Sequence, residues 1–248
     1  MILFVFEGAR AEPNIFKSLN RLYFRQEEVR IVSCKHDLPT LYKHLVENDY
    51  DLFRTLPLEE NDIDIPKDKR IDTLFSQIFL FFDYDFQHRG GLDYVNDILD
   101  EMLDYFDDET ENGKLYINYP MVESLKYTKQ MPDEEYYKYT VTREDCANHR
   151  FKGMAEAFAY PQAKAYKFID LDKTNESEVL NNWELLKLQN VKKANYIVNG
   201  KIDLPKCKEY INQKSLFVVQ KAKYVTPSES VSILNSFPIF LFDYLRQQ

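Results

Sequence analysis

Three acidic residues in the first half of the chain stand where apolar runs end. Glu7 follows the run ILFVF and precedes Gly8, while Asp83 and Asp85 come directly after the run IFLFF. Carboxylate oxygens are the hard ligands that Mg²⁺ prefers, and carboxylates held close together repel one another unless a cation is present. These three residues are therefore candidate ligands of a divalent metal ion.

The DxD pair also has a structural interpretation. Asp is common where a strand passes into a turn, and Asp83 and Asp85 taken alone favour that interpretation. An apolar run that ends in Glu7 and Gly8 about one crossover earlier shifts the balance towards a metal site.

The elements that would position these residues alternate along the first half of the chain. Apolar runs predict four strands, at 2–6, 28–34, 78–82 and 114–120. Apolar residues at helical spacing follow each of the first three strands. This order predicts right-handed crossovers and an α/β fold with a mostly parallel sheet flanked by helices. Ligands of such sheets bind at the carboxyl ends of the strands, where Glu7, Asp83 and Asp85 are expected to meet.

The second half of the chain has a less distinct pattern that is mainly helical. The best helical segments lie at 160–169, 179–189 and 230–245. We therefore expect a catalytic domain over 1–126 and a mainly helical region over 127–248, and a loop or short insertion at 59–72.

Two segments resemble a known family. FEGARAEPNIFKSL followed by FLFFDYDF resembles the Toprim domain of topoisomerases, primases and several small nucleases, in which a glutamate follows the first strand and DxD follows a later one. The EGxxxEPxxF form, which includes Glu12, resembles more specifically the RloB-type Toprim proteins associated with bacterial defence against phage. Many of those proteins have threonine where this chain has Ala11. A proline and a glutamate follow the last strand in RloB-like sequences, and NYPMVESLKY is similar, which nominates Glu123.

The resemblance covers roughly residues 1–126, and it implies a Toprim-like fold and phosphodiester hydrolysis. It assigns metal binding to Glu7, Asp83 and Asp85, with Mg²⁺ or Mn²⁺ as the cofactor, and implies that one carboxylate acts as a general base. Glu12 and Glu123 are further catalytic candidates, although both have an alternative role as acids in the first turn of a helix. The resemblance also implies an effector in phage defence that works beside an ATPase or sensor protein.

A net charge of -9 would repel nucleic acid if it were spread evenly, so binding requires a local basic patch. Lysines outnumber acids between residues 187 and 224, and aromatic residues lie among them. The candidates for nucleic-acid contact are Lys192, Lys193, Lys201, Lys206 and Lys208. A solvated lysine face is the alternative. The substrate, DNA or RNA, is left open.

The remaining features limit the location and the class of protein. The three cysteines are odd in number and far apart, and no apolar run reaches the roughly 18 residues of a membrane span, so we expect a cytoplasmic protein without a membrane contact. The main alternative function is a Toprim-fold module without catalysis that binds nucleic acid or regulates an ATPase. A DxD phosphatase or phosphotransferase is a weaker alternative, because that family usually carries DxD on the first strand.

Overall fold

The computed structural model describes residues 1–63, 74–147 and 150–245. The chain divides into two compact units, of which the first comprises Met1–Asp83 with Asp93–Tyr116 and the second Tyr84–Leu92 with Ile117–Gln248. The sequence placed the boundary at residue 126. The observed division falls after Tyr116, and the short segment that follows Asp83 belongs to the second unit.

A five-stranded sheet forms the centre of the first unit. Its strands are β1 (Ile2–Phe6), β2 (Val29–Ser33), β3 (Gln77–Asp83), β4 (Asp107–Asp108) and β5 (Gly113–Asn118), whose last two residues belong to the second unit. The strand order is β2-β1-β3-β5-β4. β1 pairs in parallel with β2 and β3, and the short β4 runs antiparallel to β5. The prediction of an α/β fold with a mostly parallel sheet is confirmed.

Helices connect these strands. They are α1 (Ala11–Tyr23), α2 (Leu38–Glu47), α3 (Leu52–Thr55) and α4 (Leu92–Tyr105). α2 begins after Asp37, the N-cap that the sequence predicts. Asp37 Oδ1 accepts a hydrogen bond from the backbone N–H of Thr40 at 3.0 Å. A 3-10 turn at Glu59–Asn61 lies in the predicted loop 59–72, of which residues 64–72 are outside the described part of the chain.

The core of the first unit is rich in phenylalanine. All five residues of β1 are buried, which explains why its sequence is continuously apolar instead of alternating. The Phe4 ring lies 4.1 Å from Phe16 of α1 and 5.3 Å from Phe79 of β3, centroid to centroid. This packing fixes α1 and β3 against β1, and with them the two strand ends that carry the acidic residues.

The second unit is mainly helical, as predicted. Its helices are α5 (Arg143–Cys146), α6 (Arg150–Phe158), α7 (Glu176–Asn199), α8 (Gln213–Gln220), α9 (Thr226–Ser228) and α10 (Ser236–Leu245), with 3-10 helices at Val122–Lys126, Tyr136–Lys138, Lys164–Ile169 and Lys208–Ile211 and a π-helical turn at Lys221–Val225. A two-stranded antiparallel sheet of β6 (Thr140–Thr142) and β7 (Ser230–Ser232) was not predicted. Within the described ranges, none of the helices has the length and apolar character needed to cross a bilayer.

Candidate functional site

Glu7 and Asp83 lie together at the carboxyl ends of β1 and β3. The register of these parallel strands pairs Phe6 with Phe81. Glu7 is the next residue after β1, and its side-chain Oε2 accepts a hydrogen bond from the backbone N–H of Asp83 at 2.9 Å. The sequence predicted that these two residues would meet at one edge of the sheet, and the structure brings them together there.

The backbone of Glu7 still takes part in the sheet. Its N–H donates to the carbonyl of Phe81 at 3.1 Å, and its carbonyl accepts from the N–H of Lys35 at 2.8 Å. An acidic residue ends the apolar run because the ladder extends one residue beyond the buried core, where the side chain of Glu7 is only half-buried. The strand ends thus present a carboxylate without burying its charge completely.

Gly8 provides the space for a second carboxylate. The backbone N–H of Gly8 donates to Glu12 Oε1 at 3.2 Å, and Glu12 is only 4 % exposed. A Cβ atom at position 8 would lie 2.7 Å from Glu12 Oε2, which is too close for a real contact. Glu12 therefore holds the amide next to Glu7, and it also lies in the first turn of α1, where the helix dipole favours an acid.

The sequence contains a signal for this contact. A glycine four residues before a buried acid in the EGxxxE segment lets the acid fold back onto the glycine amide. The other orienting group, the N–H of Asp83, belongs to the backbone, so no residue type marks it in the sequence.

The negative charge of Glu7 affects the thiol of Cys34, at the end of the neighbouring strand. Cys34 follows β2 directly, and its N–H donates to the carbonyl of Phe6 at 2.7 Å. Burial, with smaller contributions from the negative charges of Glu7 and Asp37, raises the pKa of the Cys34 thiol to about 11, although a backbone hydrogen bond at His36 acts in the opposite direction. The negative charge of Glu7 thus adds to the effect of burial at this edge of the sheet.

Asp85 belongs to the second unit, two residues beyond Asp83. The residue between them, Tyr84, is 1 % exposed and donates its backbone N–H to the carbonyl of Asn118 at 3.0 Å. The carbonyl of Asp85 accepts a hydrogen bond from the N–H of His88 at 2.9 Å, so the DxD pair does lead into a turn. Metal binding by Asp85 stays a prediction.

Glu123 also lies in the second unit, in the 3-10 helix Val122–Lys126. It is 8 % exposed, and its Oε1 lies 3.4 Å from the Nζ of Lys152. Its Oε2 is buried and has no hydrogen-bond partner among the described residues. Lys152 supplies a positive charge at this carboxylate, and the catalytic role of Glu123 stays a prediction.

The donor set at the strand ends suits a small hard cation. Among the residues that the structure describes, no group of three or more His, Cys, Asp and Glu side chains is arranged to hold a metal ion. Mg²⁺ in proteins is often held by only one or two carboxylates and keeps several waters, so metal binding by Glu7 and Asp83 stays a prediction. An oxygen that accepts one N–H has a second lone pair, so the hydrogen bond to Glu7 does not prevent coordination.

Three of the five candidate lysines for nucleic-acid contact are exposed: Lys192, Lys201 and Lys206. Lys208 begins the 3-10 helix Lys208–Ile211, and its side chain lies outside the described part of the structure. The position of Lys193 contradicts its predicted role. This residue is 0 % exposed, and its Nζ donates to the carbonyls of Tyr136 at 2.9 Å and Tyr139 at 2.7 Å, so it cannot contact phosphate.

The structure thus brings Glu7 and Asp83 together and places Glu12 on the amide beside Glu7, while Asp85 and Glu123 lie in the other unit. Comparison of the chain with known proteins found no matching family model, no matching curated protein and no matching solved structure. The assignment of a function depends on the residues and contacts described above.

Proposed function

We propose that the chain is a Mg²⁺-dependent nuclease of the Toprim type, which hydrolyses phosphodiester bonds of DNA or RNA as an effector in bacterial defence against phage. The observation that carries this proposal is the 2.9 Å hydrogen bond between the N–H of Asp83 and Oε2 of Glu7. It supports a metal site because it joins two carboxylate-bearing residues at the sheet edge where ligands of parallel sheets bind.

Glu7 and Asp83 would hold the metal ion, and Mn²⁺ would be accepted by the same oxygen ligands. The resemblance to the Toprim pattern nominates Asp85 as a further ligand. When bound, the metal would polarise a phosphate oxygen of the substrate and lower the pKa of a bound water molecule. The reaction class comes from the resemblance of the EGxxxEP and DxD segments to Toprim nucleases. The order of these segments on β1 and β3 fits that pattern.

The protein itself contributes orientation and proton transfer. The N–H of Asp83 fixes the direction of the Glu7 carboxylate, and the contact between Glu12 and Gly8 fixes the loop that follows. Preorganised ligands of this kind need no rearrangement when the substrate binds. A carboxylate oxygen of the site accepts the proton of the attacking water as general base, which typically contributes about 10²–10⁴-fold in rate.

The proposal includes two partners. Nucleic acid is the substrate, and the exposed lysines Lys192, Lys201 and Lys206 supply positive charge for phosphate contacts on a chain whose net charge is -9. The second partner is an ATPase or sensor protein that activates cleavage, which the RloB resemblance implies.

The test is cleavage of single- and double-stranded DNA, unstructured RNA and tRNA with Mg²⁺ or Mn²⁺, both by the purified chain and by the chain co-expressed with the products of neighbouring genes. Glu7→Gln and Asp83→Asn are each expected to reduce the rate by about 10²–10⁴-fold. Asp97→Asn is the matched control, because Asp97 is an exposed carboxylate of α4 in the same unit and loses the same charge.

Cleavage that is equally fast in the wild type, Glu7→Gln and Asp83→Asn would overturn the assignment of the site. Tight binding of nucleic acid without cleavage in the presence of the partner proteins would instead support the module without catalysis. Glu7→Gln would then leave binding unchanged.

A further inference from the structure

A cavity of about 390 Å³ lies within the second unit, between α7 and the segment that precedes β6. Volumes of about 300–1,000 Å³ are typical of small-molecule sites. Its walls are largely apolar and include Tyr137, Leu185, Leu188 and Ile202. Leu188 and Ile202 are 38 % and 49 % exposed, so these apolar side chains form the open side of the cavity.

Gln189 of α7 lines this cavity, and its side chain carries a buried donor without a partner among the described residues. Gln189 is 8 % exposed, and its Oε1 accepts a hydrogen bond from the backbone N–H of Asp133 at 3.4 Å. This contact sets the orientation of the amide, since its oxygen must face the N–H of Asp133. The Nε2 atom is then buried with no hydrogen-bond partner among the described residues. A buried donor of this kind is costly unless a ligand supplies an acceptor.

Lys192 brings a positive charge to the same cavity. It lies three residues after Gln189, so both side chains project from one face of α7. Lys192 is exposed, and no ion pair with a described residue neutralises it. The neighbouring polar groups are already engaged, because Lys193 Nζ donates to two carbonyls and Asp133 accepts from the N–H groups of Lys129 and Glu135.

Glu134 is the one exposed carboxylate in the lining of the described cavity. It opposes an anionic ligand, although water screens its charge. Removal of the Glu134 charge should therefore raise the affinity for an anion, whereas removal of the Lys192 charge should lower it.

We propose that this cavity binds a nucleobase together with its phosphate. A base is planar and apolar on its faces, which suits the walls that Tyr137 and the three aliphatic residues form. Its carbonyl and ring-nitrogen atoms are acceptors at the edge, which Gln189 Nε2 would bind, and its phosphate would contact Lys192. A fatty acid fits less well, since its only acceptors are in the head group and would leave the buried donor unsatisfied.

The ligand has two sources with this shared chemistry: a free nucleotide, or an unstacked base of a single strand. None of the residues of the cavity is a proposed metal ligand, but Lys192 is a proposed phosphate contact of the nuclease, so for a strand the inference rests on that proposed function. It is tested with the full-length Glu7→Gln chain in EDTA, so that neither cleavage nor metal binding affects the result. The probes are the monophosphates of the four ribonucleosides by calorimetry and fluorescein-labelled single-stranded oligouridine and oligothymidine by anisotropy.

Lys192→Gln and Gln189→Met are each expected to weaken binding about tenfold. Glu134→Gln should strengthen it, and Lys192→Gln should reduce the slope of log affinity against log salt by about one for a strand. Lys167→Gln is the control for charge alone, since Lys167 is an exposed lysine of the same unit outside the cavity, and it should change affinity by less than about twofold.

Binding of both kinds of probe identifies a nucleotide site, and binding of the strands alone identifies a base read from a strand; both support the proposal. Equal weakening by Lys192→Gln and Lys167→Gln, with no effect of Gln189→Met, would overturn it and indicate diffuse electrostatic attraction. Lack of binding by every probe would overturn it as well. Lys192 and Glu134 are exposed, so their variants remain informative if Gln189→Met fails to fold.

Discussion

Glu7 and Asp83 are 76 residues apart in the chain, and a hydrogen bond from the Asp83 N–H to Glu7 Oε2 joins them at 2.9 Å. The buried sheet determines this contact, because five consecutive residue pairs fix the parallel register of β1 and β3. A change of register would separate the two residues, and any such change would expose part of the phenylalanine core. The geometry of the candidate site is therefore coupled to the stability of the first unit.

Gly8→Ala should damage this site through the loop that follows Glu7. The new Cβ would lie 2.7 Å from Glu12 Oε2, so the buried carboxylate or the loop must move. We expect the free energy of unfolding to fall by about 1–3 kcal/mol and nuclease activity to fall with it. Urea denaturation and the cleavage assay measure the two effects.

Gly153→Ala is the matched control for that substitution. Gly153 lies inside α6, and a Cβ there meets nothing within 4 Å. Since alanine favours a helix interior over glycine, the free energy of unfolding should rise by about 0.5–1 kcal/mol. Equal effects of the two glycine substitutions would contradict the contact between Gly8 and Glu12.

Lys193→Met should destabilise the second unit. The substitution keeps the length of the side chain but removes the donor to the carbonyls of Tyr136 and Tyr139. We expect a loss of about 1–3 kcal/mol in the free energy of unfolding. Lys192→Gln, one residue earlier on the exposed face of α7, should change it by less than about 0.5 kcal/mol. A Lys193→Met protein as stable as the wild type would contradict the buried position of this amine.

The contribution of Lys193 should also depend on pH. Burial lowers the pKa of its amine well below the usual range. Between that lowered value and the usual pKa of about 10.4, the unfolded chain binds a proton that the folded chain does not. Stability from this group is therefore gained as pH rises through that window, so the free energy of unfolding of the wild type should rise relative to that of Lys193→Met as pH rises towards the usual lysine pKa. Urea denaturation of both proteins at several pH values in that interval measures the difference, and a constant difference would argue against a buried neutral amine.

The three cysteines should differ in reactivity. Cys34 and Cys146 are buried, whereas Cys207 is partly exposed. Burial raises the pKa of Cys34 to about 11 and that of Cys146 to about 12, so neither forms a thiolate readily in the folded protein. With a disulfide reagent near neutral pH, the thiol of Cys207 should react rapidly, and those of Cys34 and Cys146 only after denaturation. The Cys207→Ser variant should lose the rapid phase.

The same shifts predict loss of stability in alkali. Both thiols stay protonated in the folded chain above the usual thiol pKa of about 8.5, where the unfolded chain loses these protons. Their effect on stability is therefore absent below that value, and stability is lost as pH rises towards the raised pKa values of about 11 and about 12. Rapid reaction of all three thiols with the disulfide reagent in the native protein would contradict the burial of Cys34 and Cys146.

The sequence was sufficient to predict the sheet and the meeting of Glu7 with Asp83. Continuous apolar runs of strand length mark β1 and β3, and parallel order follows from the helices between them. The course of the chain after Asp83 could not be predicted, because it depends on the contact between the N–H of Tyr84 and the carbonyl of Asn118. The backbone of Tyr84 carries no signal of that partner in the sequence.

Two errors in the second half have different causes. Lys193 was assigned to the surface from the local excess of lysine, although Leu186, Lys193 and Ile197 repeat at helical spacing on the buried face of α7. Periodicity was thus a better guide than charge. The helix predicted at 160–169 is only a 3-10 stretch, since Ala165 and Tyr166 adopt positive φ angles of 51° and 56°. Neither residue type favours that conformation, so its cause is tertiary packing.

Direct measurement of Mn²⁺ binding, by electron paramagnetic resonance of the free ion, tests the central claim without the need for a substrate or an activating partner. We predict that the wild type and Asp97→Asn bind Mn²⁺ with equal affinity, that Mg²⁺ competes, and that Glu7→Gln and Asp83→Asn each weaken binding by about tenfold or more. Affinities for Mn²⁺ that are the same in the wild type, Glu7→Gln and Asp83→Asn would contradict a metal site at the ends of β1 and β3.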